Sequence, residues 1–280
     1  MKKVTTSTIR SMKGKEKISV LTAYDYSMAK IFDEAGVDVL LVGDSLGNVI
    51  LGYDSTIPVT VSDMIHHGKA VVRGTKRAHV VVDMPFMSYQ TSQRDALCNA
   101  AEIMRQTGAS SVKLEGGREI ADTVAALTSA GIPVMGHLGL MPQAVNQAGG
   151  YLVQGKTVSS AQRILEDAKL LQQAGAYAVV LECIPSQLAQ QITEQLEIPT
   201  IGIGAGAPCD GQVLVCYDML GIYNNMKPKF VKQYASLYDA ISASVQAYKQ
   251  EVQNGQFPAE EHSYQLADDV LSELYGGTKE

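Results

Sequence analysis

The sequence predicts an α/β protein built as one (β/α)8 barrel, and three observations lead there. Short apolar, β-branched segments alternate with helical patterns about eight times along the chain. The length of 280 residues suits a barrel of about 250. Ionisable residues follow directly on several of the apolar segments, at the strand ends where parallel α/β folds place their chemistry.

Each element has its own justification. Residues 18–22 (ISVLT) read as the first strand, and the helical pattern of residues 26–35 stops at Gly36. In the stretch VDVLLVGDSLGN, residues 39–42 are too short for a helix and β-branched enough for a strand packed on both faces. Gly43 then allows a turn, Asp44 supplies either a hard oxygen ligand or a helix cap, and Ser45 offers a hydroxyl. The connection 46–60 is long enough to cover a site, and a helix is expected over 62–73. Residues 79–82 form a third strand ending in Asp83, and Thr91 and Ser92 open a helix that ends at Gly108.

Residues 111–115 (SVKLE) alternate, so Val112 and Leu114 share one face and Lys113 and Glu115 the other. If the apolar pair packs under the outer helices, the charged pair points into the barrel, where it needs partners. A helix over 118–130, a fifth strand over 133–136 ending in His137, and a second lid-like connection over 138–157 follow. The helix 159–174, a sixth strand over 177–181 ending in Glu182, the helix 187–196 and a seventh strand over 199–203 continue the alternation. An eighth strand over 213–216 and a long helix over 230–253 complete it. Residues 1–264 are expected to form the catalytic domain, and 265–280 a tail with at most one short amphipathic helix.

Composition narrows the function. A hydrophobic content of 46% with 19% charged residues describes a chain able to bury a large core. The net charge of −6 argues against a nucleic-acid surface, leaving small molecules or copies of the same chain as partners. No apolar run approaches the roughly 18 residues of a membrane span, and the basic start lacks an apolar stretch of targeting type, so a cytoplasmic protein is expected. The 4 cysteines show no CxxC spacing and are expected to be buried free thiols.

Laid side by side, the strand ends gather Asp44, Ser45, Asp83, Lys113, Glu115, His137 and Glu182 on one rim. Asp44, Asp83 and Glu115 are hard oxygen donors suited to Mg²⁺, with caps and ion pairs as the alternative use. Lys113 serves an internal ion pair, a substrate carboxylate, or both. Glu182 lies before Cys183, Ile184 and Pro185, apolar surroundings that desolvate a carboxylate and make it a stronger base, although a carboxylate at a helix start has the same local pattern. His137 reads as a core histidine, and GIGAG as close backbone packing, since it lacks a P-loop lysine and dinucleotide spacing.

The segments LTAYDYSMAK, LVGDSLGN, DSTIPVTVSDM, DMPFMSY, VKLEGG, GHLGLMPQ, GGYLVQGKT, LECIP, IGIGAG with DGQVLVCYDMLG, and FPAEEHSY run from Leu21 to Tyr264. Together they closely resemble the ketopantoate hydroxymethyltransferase family. The resemblance implies a Mg²⁺-dependent barrel of the phosphoenolpyruvate/pyruvate type. Its reaction would move a one-carbon unit from 5,10-methylenetetrahydrofolate to 3-methyl-2-oxobutanoate, giving 2-dehydropantoate and tetrahydrofolate. By motif, Asp44 and Asp83 would bind the metal directly and Glu115 through water. Ser45 and Lys113 would hold the 2-oxo acid carboxylate, with Asp44 and Asp83 beside it, and Glu182 would accept the proton. The resemblance also implies a homodecamer of two pentameric rings. Two rivals compete: a lyase of the same barrel type, disfavoured because neither long connection contains cysteine, and a non-catalytic barrel, disfavoured because every site carboxylate is present.

Overall fold

The computed structural model describes residues 2–150, 152–223 and 228–275. Its strands are β1 (Ile18–Thr22), β2 (Val39–Val42), β3 (His79–Asp83), β4 (Ser111–Glu115), β5 (Val134–Gly139), β6 (Ala178–Glu182), β7 (Thr200–Ile203) and β8 (Gly211–Leu214). Each pairs in parallel with the next in sequence, and β8 returns to β1, so the sheet closes into a barrel. The expected fold is the observed one.

Period-2 alternation divides the apolar residues into two cores. Leu40, Val42, Val80, Val82, Val112 and Leu114 point outward and pack under the helices. Val20, Val39, Leu41, Val81, Met135, Val180, Ile201 and Val213 fill the interior. The lower end of that interior is closed by a helix that the alternation did not predict, Thr6–Met12, whose Ile9 is fully buried against the barrel residues. A capping box between Thr5 and Thr8 starts it. The same device starts helix Val61–Gly74, where Thr60 and Asp63 cap each other. Helix Gln93–Thr107 begins on Ser92 and stops at Gly108, left-handed at φ 77°.

Several boundaries differ from expectation. β5 continues through His137 to Gly139, so the second connection starts later and opens with the turns Pro142–Ala144 and Val145–Ala148; Tyr151 lies outside the described residues. The connection after β2 opens with a helical turn, Leu46–Val49. The segment 118–130 is a 3-10 turn, Arg118–Ile120, followed by helix Ala121–Ser129. β8 starts at Gly211, because Ile18 pairs with Gly211 so closely that a Cβ there would stand 2.5 Å from the Ile18 carbonyl oxygen. Cys216, expected as a strand residue, begins the turn Cys216–Met219. The last long helix is Leu237–Gln253 rather than 230–253, because Tyr234, Leu237 and Tyr238 donate backbone hydrogen bonds back to Met219, Leu220 and Gly221. In the tail, helix Asp268–Tyr275 is present, and residues 276–280 lie outside the described residues. All the cysteines are free, but only Cys209 and Cys216 are buried as expected; Cys183 is half-buried and Cys98 exposed.

Candidate active site

The ends of β2 to β6 deliver the parts of the site. Asp83 and Lys113 are direct neighbours across β3 and β4, and Glu115 and His137 across β4 and β5. Glu182 ends β6 and pairs with Gly139. Asp44 comes from the turn after β2, where Gly43 leaves room for the chain to bend: a Cβ on it would meet the Ser45 hydroxyl at 2.8 Å. The Asp44 backbone N–H donates to Asp83 Oδ2 at 3.1 Å, which joins the β2 and β3 ends. These side chains occupy the C-terminal mouth of the barrel and are buried, except that Ser45 and Glu182 are partly exposed.

Charge is densely balanced here. Lys113 Nζ stands 3.1 Å from Asp83 Oδ1 and 3.3 Å from His137 Nδ1. His137 lies between two carboxylates, with Nδ1 3.3 Å from Glu115 Oε1 and Nε2 3.2 Å from Glu182 Oε2. Burial alone would discharge Lys113, but Asp83, Glu115 and Asp44 outweigh it and raise its pKa above the ordinary lysine value. Burial and Lys113 both oppose a charged His137; its contacts with Glu115 and Glu182 prevail and raise its pKa to about 9. Burial favours the neutral acid of Glu115 too, yet His137, Lys113 and the Gln143 N–H hold its pKa low. Asp44 goes the other way: burial, Asp83 and Glu115 raise it well above the carboxylate range. Asp83 is also raised, burial exceeding the opposing effect of Lys113.

Asp44, Asp83, Glu115 and Glu182 thus outnumber the cations Lys113 and His137, and Asp44 carries the unrelieved repulsion. Asp83 Oδ1, fully buried, is held by the Lys113 ion pair at 3.1 Å without a well-aligned hydrogen bond. Both features fit a hard divalent cation, which would relieve the repulsion that raises Asp44 and share Asp83 Oδ1 with Lys113. Among the described residues no three His, Cys, Asp or Glu side chains converge as a ready metal cage.

Residues that the sequence did not single out complete the site. Tyr24 exchanges a hydrogen bond with Ser45 at 2.8 Å, and the His67 ring contacts the Tyr24 carbonyl at 2.7 Å. Tyr89 and Gln143, both buried, sit against the carboxylates. Their motifs, DMPFMSY and GLMPQ, were visible, but nothing local showed that these side chains turn inward. His137 is buried as expected, yet its neighbours are charged groups rather than core. Glu182 faces this imidazolium, so its surroundings are not simply apolar. Cys183, directly after it, holds a positive φ of 47°, and such backbone strain in a non-glycine residue gathers at functional sites. GIGAG is a close-packing element: a Cβ on Gly204, itself at φ +65°, would meet the Phe230 ring at 2.8 Å.

The profile of ketopantoate hydroxymethyltransferases matches residues 3–260. The chain belongs to the ketopantoate hydroxymethyltransferase family. It is 61% identical over 264 residues to the 3-methyl-2-oxobutanoate hydroxymethyltransferase of Syntrophus aciditrophicus, covering 94% of this chain and 97% of that one. It is 58% identical over 276 residues to the enzyme of the same name from Carboxydothermus hydrogenoformans, covering 98% and 100%. As a ketopantoate hydroxymethyltransferase, it transfers a hydroxymethyl group to 3-methyl-2-oxobutanoate in pantothenate biosynthesis. Solved structures share its barrel at low identity. Phosphonopyruvate hydrolase in complex with oxalate and Mg²⁺ aligns with a TM-score of 0.60 at 12% identity, over 99% of this chain and 95% of that one. 2,3-Dimethylmalate lyase, of the phosphoenolpyruvate mutase/isocitrate lyase superfamily, aligns with a TM-score of 0.58 at 17% identity, over 99% and 95%.

Proposed function

We propose that this family member takes its one-carbon unit from 5,10-methylenetetrahydrofolate and works by enolisation of the 2-oxo acid followed by aldol-type addition. The observation that carries this reading is the placement of His137 between two sets of carboxylates. On one side Asp44, Asp83 and Glu115 gather around Lys113; on the other stands Glu182, with its side chain 15% exposed. One set suits a cation and a substrate carboxylate, and Glu182, partly exposed, is placed to take a proton.

Asp44 and Asp83 would hold Mg²⁺ directly, and Glu115 through water. When bound, Mg²⁺ supplies positive charge to the keto oxygen on which the enolate charge collects. Lys113, held charged by its neighbours, faces the substrate carboxylate, and Ser45, oriented by Tyr24, donates to it. Glu182 accepts the C3 proton and becomes neutral, and His137, 3.2 Å away, orients its carboxylate. The C3 electron pair then bonds the one-carbon unit, whose hydroxyl oxygen comes from water, and tetrahydrofolate leaves. The connections after β2 and β5 exclude water until that stage.

Residues 1–264 act as one catalytic domain, with 265–280 as a tail, in a cytoplasmic enzyme. Among the described residues no helix is long and apolar enough to cross a membrane. The family resemblance implies a homodecamer, and self-association of some order is supported by helix Leu237–Gln253, which buries none of its residues within the chain. Tyr234, Tyr238, Ile241, Val245, Tyr248 and Val252 are exposed in and just before it, at the alternating spacing of four and three that forms one apolar stripe.

Exchange of the C3 hydrogen of 3-methyl-2-oxobutanoate into D₂O, followed by NMR without folate, tests the first half-reaction. Exchange that requires Mg²⁺ is expected, and exchange indifferent to chelation of the metal would overturn the mechanism.

A further inference from the structure

Gln143 lies in the connection after β5, yet it touches the ends of three other strands. Its Nε2 donates to Asp44 Oδ2 at 2.8 Å and to the Met84 carbonyl at 2.9 Å. Its backbone N–H donates to Glu115 Oε2 at 3.0 Å. Its Oε1 stands 2.8 Å from the Tyr89 hydroxyl, which accepts from the Glu115 N–H and has one hydrogen to share between that Oε1 and the Glu115 carbonyl. The side chain is 4% exposed, and both amide hydrogens and the amide oxygen are used.

Such saturation has two consequences. The Met84 carbonyl fixes which end of the amide faces Asp44, because a carbonyl only accepts and so requires the NH2, leaving the amide oxygen to Tyr89. The nitrogen is therefore held on Asp44 Oδ2, leaving the other carboxylate oxygen free. Pro142, at the first position of the short turn, presets the backbone so that the next N–H faces Glu115 rather than an intrahelical acceptor.

We propose that Gln143 is a positioning residue for the cation site, which orients Asp44 and Glu115 and ties the connection after β5 to occupancy of that site. The inference rests on the assignment of Asp44, Asp83 and Glu115 to the metal. Partners that hydrogen-bond a ligating carboxylate fix its orientation, and their loss typically weakens metal affinity about 10- to 100-fold. Closure of the connection and capture of the cation are then one coupled equilibrium: each cation bound selects the arrangement in which Gln143 is docked.

Mn²⁺ is the probe, titrated by electron paramagnetic resonance into the full-length wild type, Gln143→Leu, Tyr89→Phe and Asp83→Ala, without substrate. Gln143→Leu should raise the Mn²⁺ dissociation constant about 10- to 100-fold. Tyr89→Phe, which removes one oxygen and spares both carboxylates, should raise it less, and the double variant should be no weaker than Gln143→Leu alone. Hydrogen exchange of residues 140–148 should slow on adding Mn²⁺ to wild type and not in Gln143→Leu. If Asp83→Ala loses Mn²⁺ while Gln143→Leu binds it as wild type does, or more tightly, the role of Gln143 is overturned. If Asp83→Ala binds Mn²⁺ normally, the metal assignment fails and the inference falls with it. A purely structural role would lower the melting temperature of Gln143→Leu and leave the Mn²⁺ titration unmoved, which also overturns it.

Discussion

In the proposed mechanism Glu182 takes the proton and Lys113 holds the substrate carboxylate, and single substitutions separate these roles. Glu182→Gln keeps the size of the side chain but removes its basic site. It should therefore retain Mg²⁺ and substrate while C3 exchange falls by about 10² to 10⁴, read by NMR in D₂O. Exchange at the wild-type rate would remove Glu182 as the base. Lys113→Met should raise KM for the 2-oxo acid more than for the folate, in steady-state assays with each substrate varied in turn. His137 carries a pH signature. Folding raises its pKa from 6.5 to about 9, so its ion pairs contribute fully below 6.5 and are lost as pH rises through about 9. Stability of the metal-free protein should decline across that window, and His137→Gln should flatten the decline, as measured by urea midpoints at a series of pH values.

Among the elements, β5 is where local pattern and tertiary context diverged most. Its expected end, Gly136, is an interior strand residue, and the true end at Gly139 is set by pairing with Glu182 on β6. Gly139 has φ +97°, and a Cβ on it would lie 2.1 Å from the Glu182 carbonyl oxygen. Gly139→Ala should therefore cost about 1–3 kcal/mol in backbone strain and also displace the base. A lowered melting temperature with a larger fall in kcat than in substrate affinity is the expected result. By contrast, β4 was readable to the residue. Strict alternation of apolar and charged side chains over SVKLE leaves one register and one inward face.

At the level of the whole molecule, closure of the barrel is complete within one chain, but burial of its last long helix is not. Tyr238→Glu with Val245→Glu places charge on the middle of the apolar stripe and should dissociate the proposed homodecamer, measured by light scattering after gel filtration. The circular dichroism of the barrel should persist, because neither residue is buried within the chain. A wild-type mass with both substitutions present would show that the stripe is not an interface.

What the sequence determined by itself was the order of strands and the chemistry of their ends. Apolar periodicity is local, and a carboxylate placed after a buried strand has few other uses. Asp44, Asp83, Lys113, Glu115 and Glu182 were accordingly visible before any coordinates, and the family motifs supplied their expected roles. Tertiary structure decided what lies between them. His137 read as a core residue because its own neighbours in sequence are apolar, and only closure of the barrel sets it between Glu115 and Glu182. Gln143, Tyr89 and Tyr24 sit in irregular segments whose side-chain direction follows no period, so their inward turn is fixed by hydrogen bonds to residues 28, 54 and 21 positions away. The plug at Thr6–Met12 was hidden for the same reason: its apolar face is short, and it has meaning only against the open end of a barrel formed later in the chain.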